Sequence, residues 1–310
     1  MKRRIIPVVL LLSFCVGALA QQAAFPLTVV DDAGNQLTLK APPQRIVSLT
    51  LFTDEMLLSL VDKSRLIGIT TFAADSQTSN VPELAAAIAH KLTMNVEEII
   101  SLAPDLAIVA NWSDAAPVKQ LRDAGIPVYL MASGLTVKAI EEKIQRLGLM
   151  TGEVEKAQSM IDTMDKRLAA VAAQVATIPA NKRAVVMDYS TWGGAMGKGS
   201  SWDEIVRLAG LVDAVADYSA DKWGEVFLSK EKILEINPDI LVLPGWVYGD
   251  PNGAKSFYSQ IAGDPALKGL SAVKNGRLIM MPERLKSAVS QYIVDSVEWL
   301  AKSAYPQLFP

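Results

Sequence analysis

Two residues bound most of the chemistry open to this chain. His90 is its only histidine and Cys15 its only cysteine. A zinc, iron or manganese centre built from several imidazoles is therefore excluded, and one thiol cannot replace them. A Ser/His/Asp hydrolase would have to centre on His90, yet no G-x-S-x-G turn presents a serine nucleophile. The run Gly193-Gly-Ala-Met-Gly197-Lys198-Gly199-Ser200 approaches a phosphate loop. That loop needs Gly at 192 and Ser or Thr at 199, where Trp192 and Gly199 stand. Carboxylates are scattered, and none pairs for acid–base work. His90 reads as a surface histidine, and the chain as one with no catalytic residue and no metal ligands of its own. A secreted α/β hydrolase centred on His90 is the alternative.

What remains is the chemistry of binding, and an internal repeat carries it. Asn95-Val-Glu97-Glu-Ile-Ile-Ser-Leu-Ala-Pro104-Asp105-Leu106 can be laid without a gap on Ser229-Lys-Glu231-Lys-Ile-Leu-Glu-Ile-Asn-Pro238-Asp239-Ile240. Trp112 and Trp246 fall at the same offset of 134 residues. Each copy predicts an N-capped helix that stops before Pro and is followed by a strand, with the Trp just past its carboxyl end. In open α/β sheets ligands bind outside those ends. Two such units predict two indoles facing a shared cleft, with Phe72, Tyr189 and Trp192 after other strands, and Tyr248, as further candidates. Aromatic faces of this kind suit a large flat or apolar guest, because each ring covers about 150–250 Å² at low entropic cost. Glu97 and Glu231 lie in the first turns of their helices. Macrodipole stabilisation, about 0.3–1 kcal/mol each, accounts for either alone. Their recurrence suggests two acidic points, one per unit, that dock basic side chains of a partner.

The elements that must position these residues alternate in type. Short apolar runs at 45–50, 66–70, 106–110 and 127–131 are separated by helical patterns such as 54–61 and 115–123. A second set follows, with strands predicted at 183–189, 240–243 and 277–281 and helices at 202–208, 230–236 and 287–303. Between the sets, residues 136–175 are almost free of Pro and rich in helix formers, with Gly148 and Gly152 as expected breaks. Residues 153–175 predict a rod of about 35 Å. The pattern implies an α/β protein: two Rossmann-like lobes joined by a single long α-helix, with the ligand cleft between them. The expected units are an N-terminal lobe over 21–135, a helical linker over 136–178 and a C-terminal lobe over 179–310.

Residues 1–20 stand apart from the fold. Met1-Lys-Arg-Arg4 is basic, 5–19 is apolar, and Ala18-Leu19-Ala20 is a small-x-small cleavage pattern. The apolar run is shorter than the ~20 residues that span a bilayer. A lipid anchor on Cys15 is disfavoured because Phe14 replaces the small residue expected before it. The expected product is a periplasmic monomer without disulfides. Removing 1–20 takes away Lys2, Arg3 and Arg4 and moves the formal charge from −3 to −6. That balance gives no attraction to nucleic acid.

With those residues in view, the chain resembles the periplasmic substrate-binding proteins of ABC importers for cobalamin, ferric siderophores and haem. The resemblance rests on Pro43-x-Arg45-Ile-Val-Ser48-Leu49 with Glu55 after it, Leu66-Ile-Gly-Ile69, Met94-Asn95-x-Glu97, Pro104-Asp105-Leu106, Gly125-Ile-Pro-Val128, Trp223, Ser229-x-Glu231 and Pro238-Asp239. It covers nearly the whole chain after residue 20. It implies that Glu97 and Glu231 form salt bridges with arginines of the two permease subunits. It also implies a ligand between lobes that shift only slightly. Cobalamin-binding members are most similar around Met94-Asn95-x-Glu97, Trp112 and Trp223, although they have one residue fewer between that Trp and the following Ser. Siderophore binders would use cleft arginines, for which Arg284 is the candidate. Haem binders would ligate iron through a residue such as Tyr189 or Tyr248. The implied cargo is thus a metal chelate, corrinoid first, and no cofactor of the protein's own.

Overall fold

The run Leu106-Ala-Ile-Val-Ala110 explains where the first sheet must sit. Every one of its side chains is buried, so this strand is covered on both faces, as only a central strand of a parallel sheet is. The computed structural model describes residues 23–286 and 288–309; the expected leader, with Cys15, lies outside them. The first half runs β1 (Leu27–Val30), β2 (Gln36–Leu39), β3 (Ile46–Leu49), α1 (Leu51–Leu60), β4 (Leu66–Thr70), α2 (Pro82–Ala85), β5 (His90–Leu92), α3 (Val96–Ser101), β6 (Leu106–Ala110), α4 (Ala115–Asp123) and β7 (Val128–Met131). Two helices follow, α5 (Val137–Thr151) and α6 (Val154–Val175). The second half runs β8 (Val185–Asp188), β9 (Gly194–Met196), α7 (Ser201–Leu208), β10 (Val212–Asp213), β11 (Glu225–Phe227), α8 (Lys230–Ile236), β12 (Ile240–Pro244), α9 (Gly253–Gly263), α10 (Ser271–Lys274), β13 (Leu278–Met281), α11 (Glu283–Lys286) and α12 (Ile293–Ala304).

Two parallel sheets result, one on each side of α6. The first has the order β5-β4-β3-β6-β7 and the second β10-β8-β12-β13. Apart from the extra edge strand β5, the two orders correspond strand for strand. The repeated Pro-Asp has a local cause in both. Ala103 and Asn237 take left-handed backbones (φ 45° and 51°) that end α3 and α8. Two residues later, the Asp105 carboxylate accepts the backbone N–H groups of Gln44 and Arg45 (2.7 and 2.8 Å), and that of Asp239 accepts Val185 N–H (2.9 Å). Each aspartate thus clips the start of the neighbouring strand. Asn95 and Ser229 cap α3 and α8 through Glu98 and Lys232 N–H (3.2 Å each).

The linker breaks once rather than twice. Gly152 ends α5 with φ 77°, a conformation that favours glycine. Gly148, expected to be a break, lies inside α5. Its role is close approach, since an added Cβ would sit 2.4 Å from Ala157 Cβ of α6. Helix α6 has 22 residues, about 33 Å. It buries Ala157, Ile161, Met164, Val171 and Val175 in a core shared by residues of both halves. Arg167 on α6 also binds Asp295 and Glu298 of α12 (3.0 and 2.6 Å). The helix expected over 287–303 starts only at Ile293; before it, α11 and a corner at 288–292 carry Ser290 and Gln291 into buried contacts. Sequence patterning also missed the β1–β2 and β9–β11 antiparallel pairs. Among the described residues, no helix is long and apolar enough to cross a membrane.

Candidate ligand-binding site

In each sheet the strand order reverses between two neighbours, β3 and β6 in the first and β8 and β12 in the second. A crevice opens outside the carboxyl ends of such a pair. The first crevice, about 320 Å³, is walled by Thr50, Leu51 and Phe52 after β3 and by Trp112 after β6. The second, about 370 Å³, is walled by Ser190 to Trp192 after β8 and by Trp246 to Tyr248 after β12. Both touch one residue in common, Glu283, which follows β13. Ala288, Val289 and Arg284 of the second half also line the first crevice. The repeated indoles therefore stand in two adjoining halves of one cleft.

The aromatic walls are preorganised. Trp112 is 62% exposed and leans on Phe52, ring centroids 6.0 Å apart. Trp246 is half-buried and meets Tyr248 edge-on at 5.9 Å. Trp192 is held by its indole N–H, which donates to Glu225 Oε1 (2.8 Å).

The polar groups between the walls are acidic on balance. Burial pushes the Glu283 carboxyl above its ordinary range, against the opposing pull of Lys286. Lys286, 8% exposed, sits 3.4 Å from Asp188 Oδ2, so its charge is already matched. Asp188 is fully enclosed; burial raises its pKa while Lys286 and the Met196 N–H oppose that shift. Glu55 reaches the first crevice from α1 and is 3% exposed. Arg284 is exposed at the rim and makes no ion pair among the described residues. No group of three or more His, Cys, Asp or Glu side chains that could hold a metal occurs among the described residues.

The structure brings Trp112, Trp246, Trp192, Tyr248 and Arg284 to the cleft and leaves three other candidates outside it. Tyr189 is a correction: it is 8% exposed and stacks on Phe257 (6.0 Å, 24°) in the second sheet's core. Burial under α9 takes its ring out of reach of a guest. Trp223 is 72% exposed on a turn beyond β10, with Lys222 Nζ 4.9 Å above its ring, and lines neither crevice. Phe72, 59% exposed on the turn after β4, lines neither as well. Sequence reasoning missed Phe52, Glu283 and Val289. Phe52 was findable by the rule that found Trp112, since it follows the strand that pairs with β6.

Glu97 and Glu231 are exposed in the first turns of α3 and α8. The Glu231 carboxylate accepts from its own N–H and from Ser229, which holds its pKa below the usual range. His90 lies exposed on the edge strand β5, away from both crevices.

Against known proteins, a model of the periplasmic binding protein family matches residues 46–285. An uncharacterised ABC transporter substrate-binding lipoprotein of Bacillus subtilis, YvrC, is 28% identical over 297 residues, covering 92% of this chain and 87% of the relative. A cobalamin-binding protein of Halobacterium salinarum is 26% identical over 219 residues, 71% of this chain and 58% of that protein. The solved structure of the Haemophilus influenzae molybdate-binding protein MolA with molybdate superposes with a TM-score of 0.73 at 20% identity, covering 91% of this chain and 92% of that one.

Proposed function

The chain belongs to the periplasmic binding protein family, and we propose that it is the solute-binding component of an ABC importer that captures a large metal-containing chelate and delivers it to the permease. Corrinoid is the favoured cargo, then ferric siderophore, then haem. On this reading the protein makes and breaks no bonds; it works in the periplasm after loss of residues 1–20, and selectivity comes from aromatic faces and a few polar groups. The kinship with a cobalamin-binding protein supports the first choice.

The observation that carries the reading is the pairing of two aromatic crevices around a single carboxylate, Glu283. Together they offer room for a guest far larger than a tetrahedral oxyanion such as molybdate. Their charges also discriminate. Anionic guests, such as catecholate siderophores or haem propionates, need cations that are free to pair. Here Lys286 is matched by Asp188, which leaves Arg284 at the rim against Glu283. A corrinoid presents a broad ring edged with neutral amides, which a carboxylate can accept from. Glu97 and Glu231 would each pair with a basic side chain of one permease subunit.

The test is the visible absorption spectrum of material that co-purifies with the native protein, followed by titration of stripped protein with cobalamin, molybdate, haemin and a ferric catecholate. Saturable quenching of tryptophan fluorescence by cobalamin alone is expected. Quenching by molybdate and none by the chelates would overturn the reading.

A further inference from the structure

We propose that Glu55 is a positioning residue of the ligand cleft: its carboxylate, rooted in α1 of the first half, holds the α11–α12 corner of the second half and so fixes the width between the two crevices. The proposal rests on that cleft being the ligand site.

The bonding is specific. Glu55 Oε1 accepts the backbone N–H and the side-chain amide of Asn80 (2.8 and 3.0 Å). Glu55 Oε2 accepts the hydroxyl of Ser290, which is wholly buried. The main-chain carbonyl of Glu55 accepts from Gln291 Nε2 (2.8 Å), which also donates to Ser59 Oγ (3.2 Å). Asn80 passes the tie on, donating through Nδ2 to the carbonyl of Arg284 (3.0 Å). The N–H of Arg284 donates in turn to the carbonyl of Gln77 (3.2 Å). Arg284 is therefore held through both its backbone N–H and its C=O by the segment that follows β4.

The consequence for the cleft is direct. Glu283, common to both crevices, and Arg284, on the wall of the first, stand on the gripped turn. Their separation from Phe52 and Trp112 is set by this clasp. Helix α6 joins the halves elsewhere, through Arg167 and α12. A hydrogen-bonded carboxylate is a costly way to fill a buried corner. Burial raises the Glu55 pKa, while the bonds from Ser290 and Asn80 oppose that shift. An apolar side chain would avoid the desolvation cost. A side chain with two polar ends can bond groups of both halves at once, Asn80 through one oxygen and Ser290 through the other.

The experiment measures the distance between the halves without ligand. The sole cysteine is Cys15, so cysteines introduced at the exposed positions Gln120 on α4 and Lys255 on α9 can be spin-labelled selectively in protein lacking residues 1–20. The parent should give one narrow distance distribution. Glu55→Ala should broaden it and weaken cobalamin binding about tenfold, the factor expected when the binding-competent width is populated a tenth of the time. Glu55→Gln should restore both, because its amide can accept from Asn80 and donate to Ser290. Should Glu55→Ala fail to fold, Ser290→Ala removes only the bond to the Glu55 carboxylate, leaving the Gln291 and Asn80 bonds in place, and should still broaden the distribution. A parental distribution in folded Glu55→Ala, or in Ser290→Ala, overturns the proposal. Because the distances are read without ligand, failure of the corrinoid assignment would leave this result standing.

Discussion

Replacing Trp112 by Ala probes the first crevice most directly. An indole offers about 150–250 Å² of surface, and Trp112 is 62% exposed, so roughly 100–150 Å² is bare in the free protein. A planar guest lying on one face covers about half of that, and ~60 Å² at ~25 cal/mol per Å² gives about 1.5 kcal/mol. Ring-on-ring geometry adds about 0.5–1.5 kcal/mol. The sum, about 2–3 kcal/mol, corresponds to a Kd roughly 30- to 150-fold weaker. Because the ring packs mainly on Phe52, the melting temperature should hardly move. The assay is equilibrium dialysis followed by the absorbance of the corrin, since fluorescence would lose one of its reporters. Trp246 lines the other crevice, so Trp246→Ala should weaken binding independently and the two losses should add. Binding of cobalamin by Trp112→Ala within twofold of the parent would refute the role given to the first crevice.

Three further outcomes follow from the same geometry. Glu97→Ala combined with Glu231→Ala should leave cobalamin affinity intact and abolish uptake by cells or reconstituted permease; normal uptake would make both acids merely structural. Asp54, fully buried beneath the first crevice, has its pKa pushed by burial to about 7, although Thr70 N–H and Oγ1 donate to it. Below about pH 4 it is protonated whether folded or not; between there and pH 7 the unfolded chain ionises while the folded one resists, so rising pH costs stability. Asp54→Asn should therefore gain over the parent as pH rises from about 4 to about 7 and level off above that, by up to a few kcal/mol at about 1.4 kcal/mol per unit, and a melting-temperature gap independent of pH would refute this. Asp105→Ala, which strands two backbone donors, should cost about 2 kcal/mol in urea unfolding, against about 1 kcal/mol for Asp239→Ala, which strands one; neither should alter ligand affinity.

How legible these features were depended on whether their causes lie near in sequence. Leu66–Thr70, Leu106–Ala110, Ala115–Asp123 and Lys230–Ile236 were read to the residue, because apolar runs, caps and Pro are local signals. Strand β5 has three residues, and β9, β10 and β11 have three, two and three; runs so short carry no periodicity to read. The corner at 288–292 looked helical because nothing local forbids a helix there. The Ser290 hydroxyl of that corner instead bonds the Glu55 carboxylate, more than 230 residues away in sequence, a contact no local pattern announces. Tyr189 failed for a similar reason, since the Phe257 ring that covers it belongs to α9. Trp112 and Trp246 could be found because duplication repeats a spacing, and a repeated spacing survives ignorance of the fold. Glu283 has no counterpart in the first half, so no repeat announced it.

On the proposed function, the duplication also accounts for the candidate recognition and docking residues sharing one face. Helices α3 and α8 each lead through a tight turn into the strand that follows, β6 and β12, and each runs back along its sheet. The first turn of such a helix lies at the carboxyl edge of the strands, the edge from which Trp112 and Trp246 project. Glu97 is thereby carried on the rim of the first crevice's sheet and Glu231 on that of the second. A transporter that grips both acids must sit across the mouth of the cleft. Neither half alone would serve it: one crevice holds part of a guest, one acid gives a single pivot, and only the pair defines both a mouth and a direction of exit. Ligand release would then need the two rims to part, and on the clasp proposed above the bonds of Glu55, Asn80 and Ser290 would be among those that resist it.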